Sequence, residues 1–283
     1  MANVTITTAA NWIPQVWSKE ITEFRQAALV YLPLVNHIYE NDIGKGDRVH
    51  IADLPETAAR TLTNMTGALT EDGITLTTQA LTVNTLAYIF HIVDKATRVQ
   101  SHIDAVEKLT RAAGYGVAKK EDTDGLALVD TLTTNTVGTM AVPITEPDII
   151  RAGRLLDDSN VPAERFGVVS PYCMEDIRSI ETLRNRLYQE TSGSVKIAGG
   201  NGYIGTMLGI RWYQTTQVEG DNSAGHDNLI AYKENVAVVT QKDVSVERTD
   251  MLAGKELAVG FISWVMYGWK VIRDGDGVWV KGH

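Results

Sequence analysis

The sequence predicts an α+β fold, and three observations carry that reading. A long stretch of helical periodicity runs from Lys95 to about Leu132. The last third of the chain alternates in the two-residue period of strands. Between residues 46 and 94, two strand-like segments flank a long polar stretch that has too few large apolar side chains to fold by itself.

In chain order, residues 1–11 are small and polar and read as a flexible arm. From Ile13 to Leu32 a helix is expected: Pro14 suits its first turn, and Val16, Trp17, Ile21, Phe24, Ala28 and Tyr31 recur at three- and four-residue steps. Pro33 marks its end. That stripe serves equally as a core face or as an arm that docks on a neighbour. Gly44 and Gly46 turn the chain, and "DRVHIADLP", with Val49, Ile51 and Leu54, reads as a strand. "ALTVNTLAYIFHIVD", ending at Asp94, reads as a second strand, rich in β-branched and aromatic residues. Two strands around a long polar tip form an extended hairpin. Such a hairpin is marginal alone in water and must lie on its own domain or on another chain.

In the 95–132 helix, Val99, Ile103, Val106, Leu109, Ala113 and Val117 form the apolar stripe, and Gly114, Gly116 and Gly125 read as weak points. Thr145 is the expected N-cap of a helix over "EPDIIRAGRLLDDSN". "RFGVVSP" reads as a short buried strand. Ser170 and Pro171 then open the next helix, and "SIETLRNRLYQE" adds one more. After a glycine- and serine-containing loop at 191–202 the chain turns mostly to strand: "IGTMLGIRWYQTT", "NLIAYKENVAVVTQ", "VSVERTD" and "ELAVGFISWVMYGWKVI". "RDGDG" is expected to make a tight turn, with "VWVK" closing a last hairpin.

Composition narrows the function. The chain has 283 residues, enough for one large or two modest domains, and a formal net charge of −9. That sign disfavours a protein that grips nucleic acid over its whole surface. A single cysteine, Cys173, excludes an intrachain disulfide framework and a multi-cysteine zinc site. The first residues lack the basic and apolar regions of a secretory signal. The uncharged run from Leu257 to Trp269 is too short for a membrane helix, so folding in a cytoplasm is expected.

Residues 199–216, "GGNGYIGTMLGIRWYQTT", place Gly200, Gly202 and Gly205 in the G-x-G-x-x-G spacing of dinucleotide sites. Such a site needs a helix N-terminus after the last glycine. Here Ile210, Trp212, Thr215 and Thr216 continue as a strand, and Glu219 and Asp221 fall in a turn. The glycines therefore read as backbone freedom in a turn and close packing at the start of the strand. The histidines, His37, His50, His91, His102, His226 and His283, are scattered without a metal motif, and "DGDG" at 274–277 lacks calcium-loop spacing. Asp157 with Asp158, and Glu121 with Asp122 and Asp124, read as solvated faces. Cys173 lies near a helix start with no histidine close in sequence and reads as a buried, inert thiol. No catalytic, cofactor or metal residues are assigned, and the chain is not expected to be an enzyme.

The order of these pieces is itself distinctive. The arm "NWIPQVWSKEITEFRQAALVYLPLVN" is followed by "GDRVHIADLP" and "LTVNTLAYIFHIVD", the helix from Lys95 to Leu132, "VPAERFGVVSP" leading into a helix, and "GYIGTMLGIRWYQTT". With these segments in this order the chain resembles a major capsid protein of a tailed bacteriophage, of the Hong Kong 97-type fold, over almost its whole length. The resemblance implies an N-terminal arm at 1–45, an extended hairpin loop at 46–94, a peripheral domain with the spine helix at 95–143, an axial domain at 144–242 and return strands of the peripheral domain at 243–283.

It also implies a structural role. Hexamers and pentamers of this one subunit would tile an icosahedral shell, assembled in the host cytoplasm and kept in the virion. The shell would enclose packaged DNA without sequence-specific binding and without a membrane. The extended loop would lie over the adjacent subunit and the arm would clasp a neighbour. Trp12, Trp17, Phe24 and Tyr31 are the expected arm anchors, and Leu62, Met65 and Leu69 the expected contacts of the loop. Some such shells link a loop lysine to an asparagine of another subunit. This chain has no lysine between Asp47 and Asp94, so only non-covalent stabilisation is expected. No long scaffolding extension precedes the arm, so any scaffold is expected to be a separate protein; portal and decoration proteins are further possible partners. The encapsulin nanocompartments share this fold and are the runner-up reading. A nucleotide-binding enzyme using the 199–205 loop is the third.

Overall fold

In a computed structural model, residues 26, 29–44, 46–54, 57–61, 71, 73–94, 105–181, 202–251 and 258–283 are described. The expected arm helix and the expected helix over 179–190 lie outside these residues except at their edges. At the arm's end, Leu32–Leu34 form one 3-10 turn with Pro33 inside it. Pro33 thus opens a turn, as its fixed φ allows, instead of closing a helix. A short helix, α1 (Glu40–Ile43), follows.

Strand β1 (Arg48–Asp53) pairs antiparallel with β2 (Thr77–Thr82), from Arg48↔Thr82 to Asp53↔Thr77. One face, carrying Val49, Ile51 and Leu81, packs on Ile43, Ala237 and Val239. The extended hairpin is present, but its descending strand is not continuous. Val83 and Asn84 interrupt it, and β3 (Thr85–Asp94) leaves for a different sheet. At the break the Val83 N–H donates to the Asp47 carbonyl at 2.9 Å, and the chain crosses Gly268 so closely that a Cβ there would sit 2.1 Å from the Thr82 oxygen. Only glycine permits that crossing.

The long helix is α2 (Ala105–Leu126), extended by a 3-10 turn at Ala127–Thr131; residues 95–104 lie outside the described set. Its glycines are not weak points. A Cβ on Gly116 would meet the Ile89 side chain at 2.7 Å, and one on Gly125 would meet the Trp269 ring at 2.7 Å. These glycines bring the helix onto a three-stranded sheet of order β10-β11-β3, where β10 is Val236–Met251 and β11 is Ala258–Val271. Val117 packs there on Val265 and Tyr267, with Ala87, Ile89 and Trp269 against them.

The second sheet has seven strands. In sequence these are β4 (Thr136–Gly138), β5 (Arg165–Val169), β6 (Tyr203–Met207), β7 (Ile210–Gln214), β8 (Gly220–Asp221), β9 (Gly225–Tyr232) and β12 (Gly277–Gly282). Their order is β4-β12-β9-β5-β7-β6, with β8 beside β9. Alternation along the strands feeds two cores: Ile230 faces Ile149, Leu156, Met174 and Trp212 on one side, while Leu229 and Phe166 face Tyr31, Leu126 and Val238 on the other. The expected helix starts are observed. Thr145 and Asp148 form a capping box on α3 (Glu146–Asp158). Ser170 Oγ accepts from the Cys173 N–H at 3.1 Å ahead of α4 (Pro171–Ser179).

The last strand corrects the sequence reading. β12 does not close a hairpin with β11; it pairs antiparallel with β9 and parallel with β4. The "RDGDG" segment, held as a 3-10 turn at Asp274–Asp276, carries the chain from one sheet to the other. Asp274 Oδ2 fixes it by accepting from the Thr134 N–H and hydroxyl at 3.0 and 2.6 Å.

Candidate functional site

Over its described residues the glycine string does not build a phosphate site. Gly200 lies outside the described residues, Gly202 adopts φ +64°, and Gly205 falls inside β6. A tight turn at Leu208 and Gly209, both at positive φ, returns the chain as β7. Among the described residues Gly205 is followed by strand and not by the helix N-terminus that would aim free amides at a phosphate. Among the described residues no group of His, Cys, Asp and Glu side chains is arranged to hold a metal, and no described helix is long and apolar enough to cross a membrane.

Cys173 is fully buried. Its Sγ donates to the His283 carbonyl at 2.8 Å and accepts from Asn228 Nδ2 at 3.0 Å. Burial pushes the thiol up, against hydrogen bonds from Ser170 and Asn228 that lower it. It is held away from thiolate chemistry.

The acidic run on α2 is a correction. It is not a solvated face: Glu121 and Asp122 are buried. Asp122 Oδ1 accepts from the backbone N–H groups of Tyr31 and Leu32, each at 2.9 Å. Glu121 accepts from Thr240 Oγ1 at 2.9 Å. Asp124, partly exposed, accepts from the Tyr267 hydroxyl at 2.6 Å and from Lys120. Burial holds both Glu121 and Asp122 above the usual carboxylate range, while the Thr240 hydroxyl and the backbone N–H groups pull the other way. The helix therefore grips the segment where the arm joins the body. Asp157 and Asp158 are exposed, as expected, with Arg165 at 2.6 Å from Asp157 and Arg154 at 3.5 Å from Asp158.

Tyr31, expected as an arm anchor on a neighbour, sits in the chain's own core at 1% exposure. Its ring stacks on Trp269 at 5.5 Å and meets Phe166 edge-on at 6.4 Å. Residues 30–36 form a plug: Val30, Tyr31 and Val35 are buried, and Asn36 bridges to β10 through the Val236 carbonyl and the Val238 N–H. The other expected contacts, Trp12, Trp17, Phe24, Leu62, Met65 and Leu69, lie outside the described residues.

Exposed surfaces carry the remaining signal. Beyond the base of the hairpin, residues 57–61, 71 and 73–78 are exposed, including Ile74 and Leu76, with Leu54 beside them. On β3, Leu86, Tyr88, Phe90 and Ile92 point away from α2 and are exposed. Sequence reasoning missed this row. Its signal was a strand apolar at every position but the ends and His91, which asks for cover on both faces.

A family of phage capsid proteins matches residues 75–280. The chain belongs to this family. Its members build shells, and this phage capsid protein is a structural shell protein of the virion. Its fold matches a chain of Mycobacterium phage Che8 at 26% identity and a TM-score of 0.75, covering 95% of this chain and 97% of that one. The capsid structure of the cyanophage P-SCSP1u matches at 14% identity and a TM-score of 0.74, covering 99% and 96%. The capsid of a native GTA particle matches at 11% identity and a TM-score of 0.70, covering 99% of each chain. No curated protein gives a significant match.

Proposed function

We propose that this capsid protein tiles a closed icosahedral shell around the DNA of a tailed phage, as hexamers and pentamers of one subunit and without catalytic chemistry. The observation that carries the reading is the extended hairpin. Its base packs on the body, while Leu54, Ile74 and Leu76 just beyond the paired base are exposed in the isolated subunit. Heterologous contacts of that kind close into rings, and many weak contacts per subunit hold a shell together by multivalency.

In this reading residues 46–94 are the loop that lies over the adjacent subunit. The arm clasps a neighbour through Trp12, Trp17 and Phe24, with Leu62, Met65 and Leu69 on the loop tip adding contacts. Tyr31 fastens the arm's root inside its own subunit. Residues 95–143 and 243–283 form the peripheral region, and 144–242 the axial one. The absence of lysine between Asp47 and Asp94 supports a shell without loop-lysine crosslinks. The net charge of −9 supports a container that does not cling to its DNA. Scaffold, portal and decoration proteins are the further partners this reading allows, and assembly takes place in the host cytoplasm.

The test is light scattering with negative-stain electron microscopy on the chain expressed alone and with its phage's scaffold. Hollow shells tens of nanometres across are the expected result. Monomers under both conditions would sink the proposal, and an enzyme in place of DNA inside native particles would favour the nanocompartment reading. Trp12→Ala with Trp17→Ala is expected to abolish shells and leave the subunit folded; equal loss of folding would place the arm in the subunit's own core.

A further inference from the structure

From the contacts of the His37 ring we infer, independently of the shell reading, that His37 is a proton-operated latch. As the imidazolium it ties the turn at Leu32–Leu34 to α1, and loss of its proton as pH rises releases α1 from that turn.

His37 Nε2 lies 2.6 Å from the Leu32 carbonyl oxygen, and Nδ1 lies 2.7 Å from Glu40 Oε1. A carbonyl oxygen only accepts, so Nε2 carries a hydrogen and donates. In the neutral ring with that tautomer, Nδ1 is an acceptor and would face a carboxylate oxygen that also only accepts. Both short contacts are satisfied together when the ring holds a second proton and Nδ1 donates to the Glu40 carboxylate, a charge-assisted bond. Deprotonation gives that proton to solvent, keeps the Leu32 bond, and sets a lone pair against the Glu40 anion. The side chains of His37 and Glu40 are 34% and 33% exposed, so the proton exchanges with water directly.

The latch sits on the span that joins the arm's root to the hairpin's base. Leu32 is held at both ends: Asp122 Oδ1 accepts from its N–H at 2.9 Å, and His37 donates to its carbonyl. Beyond α1, Gln241 Nε2 of β10 donates to the carbonyls of Gly44 and Gly46 at 3.3 and 3.0 Å. Ile43, the last residue of α1, packs with Val49, Ile51 and Leu81 of the hairpin base. Between these two anchors His37 closes the span.

The surrounding charges reinforce the effect. Glu40 and Asp42 lie on α1, Glu121 and Asp122 belong to α2, and Asp243 of β10 interacts with Glu121. The cations of the adjoining stretches are engaged elsewhere: Lys120 with Asp124, Lys242 over the Trp264 ring, and Arg48 with Asp47. Glu121 meets Glu40 and Asp243 as like charges and His37 as the opposing one. A neutral His37 leaves Glu40, Glu121 and Asp243 without that opposing charge, and their repulsion adds to the lost bond. A contact that needs the protonated ring is complete at acid pH and is lost as pH rises through the ring's titration.

The test uses the dissociated subunit, as the full chain, at about pH 5.5 and about pH 8.5, which bracket histidine titration. Imidazole nitrogen NMR reads the protonation of the ring. Hydrogen exchange, corrected for intrinsic rates, reads the amides of Glu40 and Asp42, which donate to the His37 and Tyr39 carbonyls. An imidazolium at the lower pH is expected, with protection falling about three- to fivefold at the higher. Glu40→Gln offers Nδ1 an N–H in place of the carboxylate, so the neutral ring stays bonded and protection is expected to be equal at both pH values. His37→Ala is expected to show the lower protection at both. A neutral ring at the lower pH with both contacts kept overturns the inference, as does wild-type protection that is the same at both pH values. A pH dependence that survives in His37→Ala belongs to Glu121 and Asp122 and overturns it too.

Discussion

Removing the Asp122 carboxylate tests how the arm is rooted. In Asp122→Ala the N–H groups of Tyr31 and Leu32 lose their common acceptor; Tyr31 belongs to the buried core formed with Phe166 and Val238, and Leu32, partly buried, packs against it. A hydrogen bond to a charged acceptor contributes about 1.5–3 kcal/mol, so two contribute about 3–6 kcal/mol. Part of that is returned, because the wild-type carboxylate is costly to bury. The expected net loss is about 2–4 kcal/mol, or about 5–10 °C in Tm for a chain of this size. Asp122→Asn keeps the Oδ1 acceptor without the charge and is expected within about 1 kcal/mol of wild type. Urea unfolding of the dissociated subunit measures the loss, and hydrogen exchange at Tyr31 and Leu32 locates it. An Asp122→Ala subunit within about 0.5 kcal/mol of wild type, with those amides still protected, would refute the account.

Gly125→Ala is expected to destabilise by about 1–2 kcal/mol despite a better helix propensity, because the Trp269 ring it meets is stacked on Tyr31. Gly116→Ala meets only the movable end of Ile89 and is expected within about 1 kcal/mol of wild type by thermal melts; the reverse order would show that the ring yields and the methyl does not. Tyr31→Ala is expected to cost about 3–5 kcal/mol of subunit stability, whereas a surface anchor would melt like wild type. For pH, Glu121 and Asp122 are both raised in the folded state. The folded chain therefore holds protons that the unfolded chain releases, and the stabilisation from these two groups is complete below the ordinary carboxylate range and lost as pH rises through their folded values. Relative to wild type, Glu121→Gln with Asp122→Asn is accordingly expected to gain in urea midpoint as pH rises from about 3.5, below the ordinary carboxylate range, to about 8; no change in the difference over that range would show that these carboxyls titrate normally.

The order of segments that marks this family was legible because it is written in local signals. Two-residue alternation, the caps at Thr145 and Ser170, and a polar stretch too poor in apolar residues to fold alone are properties of neighbours in the chain. The strand over Ile210–Gln214 and the rejection of a phosphate loop followed from the same periodicity, whereas the tight turn at Leu208 and Gly209, which splits the expected strand into β6 and β7, did not. What the sequence did not reveal depends on residues far apart in it. Asp122 and Glu121 carry no mark that separates a buried carboxylate from a solvated one, since their donors at Tyr31, Leu32 and Thr240 are about a hundred residues away. Gly116 and Gly125 read as flaws in a helix until Ile89 and Trp269 are packed against them. "VWVK" has the alternation of a strand, but which strand it joins depends on the free edges of β9 and β4, not on its own residues. The sequence by itself determined the kinds of element and their order, because φ/ψ preference and amphipathic period act over a few residues. The tertiary structure alone decided strand partners and buried charges, because burial and pairing are set by whatever the fold brings alongside.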